Sequence, residues 1–233
     1  MDLLAFGDSG WGDEMLLATL MTLVISLCAF GLGLFLGTIG ATMKRSRWMS
    51  LRGLAEGYTT VARGIPELLI IYLLFFGSNG VVMFVARMFG YDGYIEVNAF
   101  IIGVASIGLV QGAYQTEVFR GAVDAVPKGQ IEAAHAAGMS GFLLFRRILA
   151  PQVLRFALPG LGNCWVSSLK ETALVSVTGL VEIMRQSHVA AGSTRHPFLF
   201  YTLAAALFLF LTTFSGFGFR RLEAWTNRGE RKE

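Results

Sequence analysis

Five long apolar runs dominate this chain and restrict the environment in which it can fold. Of its 233 residues, 54% are hydrophobic and 15% are charged, whereas soluble domains carry about 25% charged residues. A soluble core does not need uninterrupted apolar runs, but each helical crossing of a bilayer needs roughly 20 apolar residues. The sequence therefore predicts an all-α integral membrane protein with five transmembrane helices. The predicted spans are residues 15–43, 54–88, 97–115, 158–181 and 198–219.

The second run is too long for one straight crossing, and it contains a proline. Pro66 follows Gly64 inside this run. Proline removes a backbone hydrogen-bond donor and clashes with the preceding turn of a helix. A helix over residues 54–88 is therefore predicted to be broken or kinked at Pro66.

The gaps between the runs alternate between rich and poor in lysine and arginine. Residues 44–53 hold four, residues 116–157 hold five and the C-terminal tail holds five. Residues 1–14 and 89–96 hold none, and residues 182–197 hold two. Because lysine and arginine are enriched in cytoplasmic loops, this alternation predicts an odd number of crossings, an outside N-terminus and a cytoplasmic C-terminus. Residues 1–14 carry four acidic side chains, so no cleavable signal peptide is expected.

Several other function classes find no support in the sequence. The net charge is +3 and no basic stripe is interleaved with aromatic residues, so nucleic-acid binding is not expected. The motifs G-x-x-x-x-G-K-[ST] and H-E-x-x-H do not occur, so neither ATP binding at a phosphate loop nor a zinc-protease centre is predicted. Cys28 and Cys164 lie inside apolar runs and are interpreted as packing residues. The three histidines are too scattered along the chain to predict a metal site.

Two further patterns concern how the helices pack. Two pairs of glycines are each four residues apart, at positions 33 and 37 and at positions 108 and 112. This spacing lets helix backbones approach closely in a membrane. Tight packing around a transport path and ordinary helix packing both agree with these glycines. Glu117 and Arg120 are three residues apart, which predicts a structural ion pair on one helix.

The gap over residues 116–157 is too long for a simple turn and has a helical pattern of its own. An Ala-rich short helix is predicted over residues 130–137, where Gly138 interrupts it. A second short helix is predicted over residues 140–149, ended by Pro151. Two short helices hinged at a glycine would form a knob at the cytoplasmic membrane surface.

The second predicted helix places Phe142, Phe145 and Ile148 near one face. A knob of this size has little core of its own, so these apolar side chains need a partner. The residues alone leave two partners open. One is a separate protein that docks on the knob, and the other is the lipid headgroup region, where amphipathic elements lie flat.

The knob resembles the E-A-A…G…I-x-L-P loop of ABC importer membrane subunits. The residues that carry this resemblance are Glu132, Ala133, Ala134, Gly138, Ile148 and Pro151. In that family the loop, here about residues 122–152, forms coupling helices that insert into a groove on a separate ATPase subunit. The chain departs from the motif at Ala150, where the family usually has leucine, and this shortens one apolar contact.

Four other segments carry the same resemblance, which covers about residues 15–222. They are an R-G-x-P turn at 63–66, an A-Y-x-x-E-x-x-R-G segment at 113–121, a V-P-K-G-Q entry at 126–130 and an L-K-x-T-x-L-x-S stretch at 169–176. These motifs are similar to those of the polar amino acid importer subfamily. Residues 56–60 and 173–176 resemble the histidine, lysine/arginine/ornithine and opine permeases in particular.

The resemblance implies a single permease domain over residues 1–233, with the type I ABC importer permease fold. It implies a place in the bacterial inner membrane, with the N-terminus in the periplasm. The implied partners are a second permease chain, homologous or identical, two ATPase subunits and a periplasmic amino-acid-binding protein. No cofactor is expected on this chain, because ATP and Mg²⁺ would belong to the ATPase subunits. The implied function is import of basic or polar amino acids or opines by alternating access.

Two functions of other classes compete with this one. An ATPase-independent channel or secondary transporter for a small polar solute is the first alternative, and a membrane-embedded enzyme is the second. Many secondary transporters are built from internal repeats, and no such repeat is visible in this sequence. An enzyme would need a nucleophile, a base or a metal-binding set clustered in the spans, and none is evident. The importer subunit therefore remains the favoured interpretation.

Three charged residues inside the apolar runs, Glu67, Lys170 and Glu171, are candidates for a substrate path. An ionisable residue within a membrane is costly and is a functional candidate by default. A carboxylate facing the path would hold the positive group of a cationic amino acid. Glu67 has an alternative, an ion pair with Arg63 four residues earlier, if the helix survives the break at the proline. Lys170 and Glu171 are adjacent, so they are predicted to point to different faces of a helix.

Overall fold

Helices account for all the regular structure that is described. The computed structural model describes residues 2–7, 10–91, 93 and 98–226, and these ranges contain no strand. The α-helices in chain order are α1 (Gly12–Lys44), α2 (Met49–Gly64), α3 (Glu67–Met88), α4 (Ala99–Asp124), α5 (Lys128–Ala136), α6 (Gly141–Leu144), α7 (Ala150–Val175), α8 (Ile183–Thr194) and α9 (Pro197–Thr226). A π-helical turn, Phe145–Leu149, joins α6 to α7. The prediction of an all-α fold is confirmed.

Five long helices lie where the five spans are predicted. α1, α3, α4 and α9 are each long and apolar enough to cross a membrane. The fifth, α7, has 26 residues, which is enough for a crossing at about 1.5 Å per residue, but its sequence is more polar. Because α7 packs against α1, α4 and α9, much of its surface faces protein and need not be apolar. The beginning of the third predicted span and the tail beyond residue 226 lie outside the described residues.

The predicted break in the second run is confirmed. α2 ends at Gly64 and α3 begins at Glu67, and the intervening Ile65 has extended backbone angles of φ −97° and ψ 138°. Arg63 and Glu67 therefore lie on separate helices, and no ion pair joins them in the described part of the chain. Arg63 instead lies over the ring of Tyr114, 5.3 Å from its centroid. The alternative of an Arg63–Glu67 pair is therefore wrong.

The segment between the third and fourth spans is shorter than predicted. α4 and α7 extend into the predicted gap and occupy residues 116–124 and 150–157. Ala122 of α4 and Ala157 and Leu161 of α7 form one buried apolar cluster there. This packing continues past the apolar runs, so the charged residues at the end of α4 do not end the helix. A hydropathy pattern detects the apolar run but does not show that the helix extends beyond it.

Pro151 does not end the second short helix, which corrects the prediction made from the sequence. The chain stays helical from α6 through the π turn into α7, and Pro151 lies in the first turn of α7. Proline is tolerated in a first turn because its missing N–H would have no helical acceptor there. The π turn before it changes the spacing of the backbone hydrogen bonds, a local irregularity that is frequent at functional sites.

The glycine pairs bring α1 and α4 into close contact, as predicted. A Cβ on Gly37 would lie 2.8 Å from the Cβ of Gln115, and a Cβ on Gly33 would lie 3.2 Å from the Cβ of Gln111. On the opposing helix, a Cβ on Gly112 would lie 2.8 Å from the Cβ of Leu36. The contact between α1 and α4 is the most extensive between any two described elements. Small residues therefore set the distance between these two helices.

A left-handed glycine and a capping glutamate shape the connection from α7 to α9. α7 ends at Val175, several residues before the predicted end of the fourth span, because Gly179 turns the chain with φ +85°. Glu182 then caps α8 by accepting hydrogen bonds from the N–H groups of Met184 (2.9 Å) and Arg185 (2.7 Å). The side chain of Glu182 is buried, so this cap fixes α8 against the bundle.

The predicted pair of Glu117 and Arg120 is confirmed and belongs to a larger network. Arg120 Nη2 lies 2.9 Å from Glu117 Oε2. The Nζ of Lys44, at the end of α1, lies 2.7 Å from Glu56 Oε2 and 2.5 Å from Glu117 Oε1. Lys44 therefore joins α1 to both α2 and α4 at the end of the bundle that carries residues 125–149.

Candidate functional site

Lys170 and Glu171 point to different faces of α7, as predicted. Glu171 is buried, with 7% of its surface exposed, whereas Lys170 is exposed. Gln111 of α4 donates a hydrogen bond from Nε2 to Glu171 Oε1 at 2.5 Å. An ionisable side chain in the bundle interior is thus held by a polar neighbour from another helix, which is how such groups are accommodated in membranes.

Glu67 lies close to the same place, although it comes from a different helix. It is the first residue of α3, directly after the break, and is half-buried. Lys170 is near enough to interact electrostatically with both Glu67 and Glu171. The structure therefore brings the three candidate path residues, Glu67, Lys170 and Glu171, into one charged cluster between α3 and α7.

The helices that hold Glu171 and its partner Gln111 also carry buried polar atoms that lack a hydrogen-bond partner among the described residues. Gln115 and Ser168 are fully buried, on α4 and α7 respectively. Among the described residues, the side-chain atoms of Gln115, Ser168 Oγ, Gln111 Oε1 and Glu171 Oε2 have no hydrogen-bond partner. A buried polar atom without a partner is costly, so these unpaired atoms mark this part of the bundle as a functional candidate.

Sequence reasoning missed Gln111 and Gln115. Both are amides within an apolar run, and their spacing of four residues places them on one face of α4. A search restricted to ionisable residues passes over amides, although an amide in a membrane helix needs a polar neighbour as well. Polar residues at helical spacing inside the third run would have been the signal.

The residues of the E-A-A motif form the exposed part of the knob. Glu132 and Ala133 are exposed on α5, whereas Ala134 is buried against its neighbours. Gly138 follows α5 with φ +73°, the left-handed conformation that favours glycine at a helix C-terminus. Its N–H donates to the carbonyl oxygen of His135 at 2.9 Å. Gly138 is therefore the turn between the two short helices, as predicted.

The apolar side chains predicted to need a partner are exposed. Phe142 has 73% and Phe145 has 55% of its surface exposed, while Ile148 is half-buried and Pro151 is exposed. Contacts within the described part of the chain therefore leave more than half of each phenylalanine uncovered. An exposed aromatic pair on a small protruding element is typical of a surface that binds another molecule.

A pair of glutamines that sequence reasoning did not single out links the knob to α7. Gln152 Nε2 donates to Gln130 Oε1 at 2.6 Å and to the carbonyl oxygen of Ile148 at 3.0 Å. Gln130 belongs to α5, whereas Gln152 lies in the first turn of α7. The knob is therefore joined to a long helix of the bundle by a side-chain hydrogen bond.

Comparison with known proteins places this architecture in a family. The family of binding-protein-dependent transport system inner membrane components matches residues 29–224. The nopaline transport system permease protein of Agrobacterium fabrum is 52% identical over 100% of this chain and 99% of the relative. The histidine/lysine/arginine/ornithine transport system permease protein of Escherichia coli is 41% identical over 88% of this chain and 90% of the relative.

A solved structure agrees with these relatives. The crystal structure of an amino acid ABC transporter with histidines superposes with a TM-score of 0.79 and 29% identity, covering 92% of this chain and 94% of that chain. Its fold is that of the type I ABC importer permeases. With the family match over most of its length, this chain belongs to the inner membrane components of binding-protein-dependent transport systems.

Proposed function

We propose that this chain is the permease subunit of an ATP-driven ABC importer for basic or polar amino acids or opines. The family membership supports a transport role, and the relatives named for nopaline and for histidine, lysine, arginine and ornithine support the solute class. Its partners would be a second permease chain, two ATPase subunits and a periplasmic binding protein. ATP and Mg²⁺ would be held by the ATPase subunits.

The exposed knob is the observation that carries this proposal. Phe142 and Phe145 each have more than half of their surface exposed, and the turn of the knob is fixed by a left-handed glycine. A groove on an ATPase subunit would cover these side chains, because burial of exposed aromatic residues is a main source of affinity in protein interfaces. The docking residues would be Glu132, Ala133, Ala134, Gly138, Ile148 and Pro151.

Alternating access would follow from the link between the knob and the bundle. ATP would close the two ATPase subunits and move the docked knobs with them. The contact between Gln130 and Gln152 and the unbroken helical path into α7 would carry this motion to the helix that holds Lys170 and Glu171. A two-state change of this kind exposes the path first to one side and then to the other.

Reconstituted uptake tests this proposal directly. The permease, its partner permease and the ATPase would be placed in proteoliposomes, with the binding protein and radiolabelled arginine on the opposite side from the ATPase. We expect uptake that requires both ATP and the binding protein. Uptake that proceeds without ATP and follows the arginine or ion gradient would contradict the proposal and support the channel or secondary transporter.

The proposed orientation places the N-terminus in the periplasm and the knob and C-terminus in the cytoplasm, because lysine and arginine are enriched on the knob side. Single cysteines introduced as Tyr91→Cys and Lys128→Cys test it in a chain without Cys28 and Cys164. An impermeant thiol reagent is expected to label position 91 in intact cells and position 128 only after permeabilisation. Labelling of both positions from the same side would contradict this orientation.

The charged cluster is proposed to hold the cationic group of the solute. Glu67→Gln and Glu171→Gln are each expected to weaken transport of arginine, lysine, histidine or an opine, because each removes one carboxylate from the cluster. An ion pair in a wet setting contributes about 1 kcal/mol, so the apparent affinity should fall about fivefold. Uptake kinetics with one binding protein measure this effect.

The matched control for these two variants is Glu223→Gln, near the end of α9, which removes the same charge far along the chain from the cluster. It is expected to leave the apparent affinity unchanged. If both cluster variants transport every cationic solute with wild-type affinity and rate, the binding protein alone sets the specificity and these glutamates do not contact the solute.

A further inference from the structure

A second charged site lies apart from the cluster around Glu171. A cavity of about 970 Å³ opens between the end of α1, one face of α2 and the end of α4. Small-molecule sites in proteins span about 300–1,000 Å³, so the cavity has room for an amino acid or an opine. It lies at the end of the bundle that carries the knob, which the proposed orientation assigns to the cytoplasm.

One wall of the cavity is a polar face of α2. Arg52, Glu56, Thr60 and Arg63 line it, and their spacing of four, four and three residues places them on one side of a helix. The rest of α2 carries Leu54 and Val61 on exposed positions. The helix is therefore amphipathic, and its charged face lines the cavity.

The opposite wall comes from α4, and the floor comes from α1. Tyr114, Glu117 and Arg120 line the wall. Lys44 lies at the floor, with 5% of its side chain exposed, and contacts both Glu56 and Glu117. The positive charge of Lys44 is thus neutralised by carboxylates from two helices, which fixes the shape of the cavity without providing a free cation.

Two arginines in the cavity have no acidic partner among the described residues. Arg52 and Arg63 form no ion pair in the described part of the chain, and Arg63 is held over the ring of Tyr114. The lining as a whole has two more basic than acidic side chains. Its basic residues are Lys44, Arg45, Arg52, Arg63 and Arg120, and its acidic residues are Glu56, Glu117 and Asp124.

The charged side chains of the cavity favour a ligand that carries complementary charges. An arginine guanidinium binds a carboxylate through two parallel hydrogen bonds, which gives both strength and orientation. The side chains of Glu56 and Asp124 are 65% and 49% exposed, so their carboxylates can accept further hydrogen bonds from a cationic group. A solute that carries both a carboxylate and a cationic group matches the cavity at both ends.

We propose that this cavity is a second solute site, in which Arg63 binds the carboxylate of the transported amino acid or opine on the cytoplasmic side. The proposal rests on the proposed function for the solute class and for the side of the membrane. The site lies beyond the break at Pro66, so the solute would reach it after leaving the cluster around Glu171. There it would report the cytoplasmic concentration of the imported solute.

An anionic lipid headgroup is an alternative ligand, because it is negatively charged like the carboxylate of the solute. The side chains that line the cavity favour a free solute instead. A bound phospholipid needs apolar surface for its acyl chains. The cavity offers hydroxyl groups of Ser46, Thr59 and Thr60, and its lining within the described ranges has no aliphatic side chain as large as valine. The solute is therefore the favoured ligand, and lipid is an outcome that the experiment separates.

Protection of a cysteine inside the cavity tests the proposal. Thr60→Cys would be introduced into the chain without Cys28 and Cys164, and the complete transporter would be held in phosphatidylcholine nanodiscs without nucleotide. L-Arginine is expected to slow the reaction of this cysteine with N-ethylmaleimide. Agmatine, which is arginine without its carboxylate, is expected to protect about tenfold less well, as loss of a charged hydrogen-bonded pair implies.

Matched variants assign the effect to the cavity. Gly53→Cys lies on an exposed part of the same helix outside the lining, so arginine should not protect it. Adding Arg63→Gln to Thr60→Cys is expected to raise the arginine concentration needed for protection about tenfold. Adding Arg47→Gln, which removes an exposed charge outside the lining, should leave that concentration unchanged.

Three results would overturn the proposal: equal protection by agmatine, protection that Arg63→Gln does not weaken, or no protection by arginine at all. Protection in phosphatidylglycerol nanodiscs without any solute would assign the cavity to a lipid headgroup instead. Because the assay needs no ATP, its outcome does not depend on whether the chain belongs to an ATP-driven importer. Loss of ATP-driven uptake with protection intact would contradict the importer and leave the binding site standing.

Discussion

Gly138→Arg is expected to abolish uptake while the chain remains inserted in the membrane. Gly138 has φ +73°, a conformation that costs other residues about 1–2 kcal/mol. A Cβ at this position would meet no described residue within 4 Å, so the new side chain would project away from the knob. It would alter the angle between α5 and α6 and obstruct the groove in which the knob is proposed to dock. Uptake in proteoliposomes and membrane fractionation measure the two effects separately.

Smaller substitutions separate backbone strain from obstruction. Gly138→Asn should retain more uptake than Gly138→Arg, because asparagine tolerates the left-handed conformation. Gly129→Ala is the control, since Gly129 is a helical residue of the same knob with open space around it. It is expected to transport normally. Binding-protein-stimulated ATP hydrolysis and uptake at wild-type rates in Gly138→Arg would show that the knob is not the docking element.

Gly37→Leu is expected to prevent α1 and α4 from packing and to destabilise the whole bundle. A Cβ at position 37 would lie 2.8 Å from the Cβ of Gln115 and 3.0 Å from its carbonyl carbon, and backbone cannot move aside as a flexible side chain can. Overpacking of a tight core costs about 1–3 kcal/mol, and a clash with backbone belongs at the upper end. Thermal unfolding in detergent and the elution profile of the purified chain measure the loss.

Gly31→Leu is the matched control, because it adds the same side chain to the same helix. A Cβ on Gly31 would meet nothing within 4 Å, so this leucine should be accommodated at the outer surface of α1. We expect its unfolding temperature to equal that of the wild type. Equal destabilisation by Gly31→Leu and Gly37→Leu would show that glycine matters in α1 for flexibility and not for contact with α4.

The two proposed solute sites lie on either side of one structural feature, the break at Ile65–Pro66. Glu67 follows the break and belongs to the charged cluster, whereas Arg63 precedes it and lines the cavity. A continuous helix would place these residues one turn apart on the same face. The break instead directs Arg63 toward Tyr114 of α4 and Glu67 toward Lys170 of α7. The break at Pro66 thereby places the oppositely charged Arg63 and Glu67 in two different sites.

Local chemistry in the sequence determined which helices form and where one of them breaks. Five apolar runs predicted five long helices, because a bilayer requires about 20 apolar residues per crossing whatever the tertiary contacts are. Pro66 predicted the break, because its ring constrains its own backbone and the preceding turn. Gly138 predicted the turn in the knob, because interruption of a short helix by glycine depends on a few neighbouring residues. The break and the turn each follow from contacts within about one helical turn.

Tertiary structure decided where helices end, and which charges meet. α4 and α7 run past their apolar segments because Ala122 packs against Ala157 and Leu161, a contact that no hydropathy pattern contains. Pro151 is absorbed into α7 because the preceding π turn continues the helix.

In the candidate site, the sequence likewise identified individual residues and the tertiary structure decided which of them meet. The sequence identified Glu67, Lys170 and Glu171 as costly in a membrane, but their grouping with Gln111 needed the packing of α3, α4 and α7. Lysine and arginine counts likewise could not show that Lys44 is neutralised by carboxylates from two other helices. Such pairings join residues far apart in the chain, so they depend on the distances between helices, which small residues such as Gly37 set.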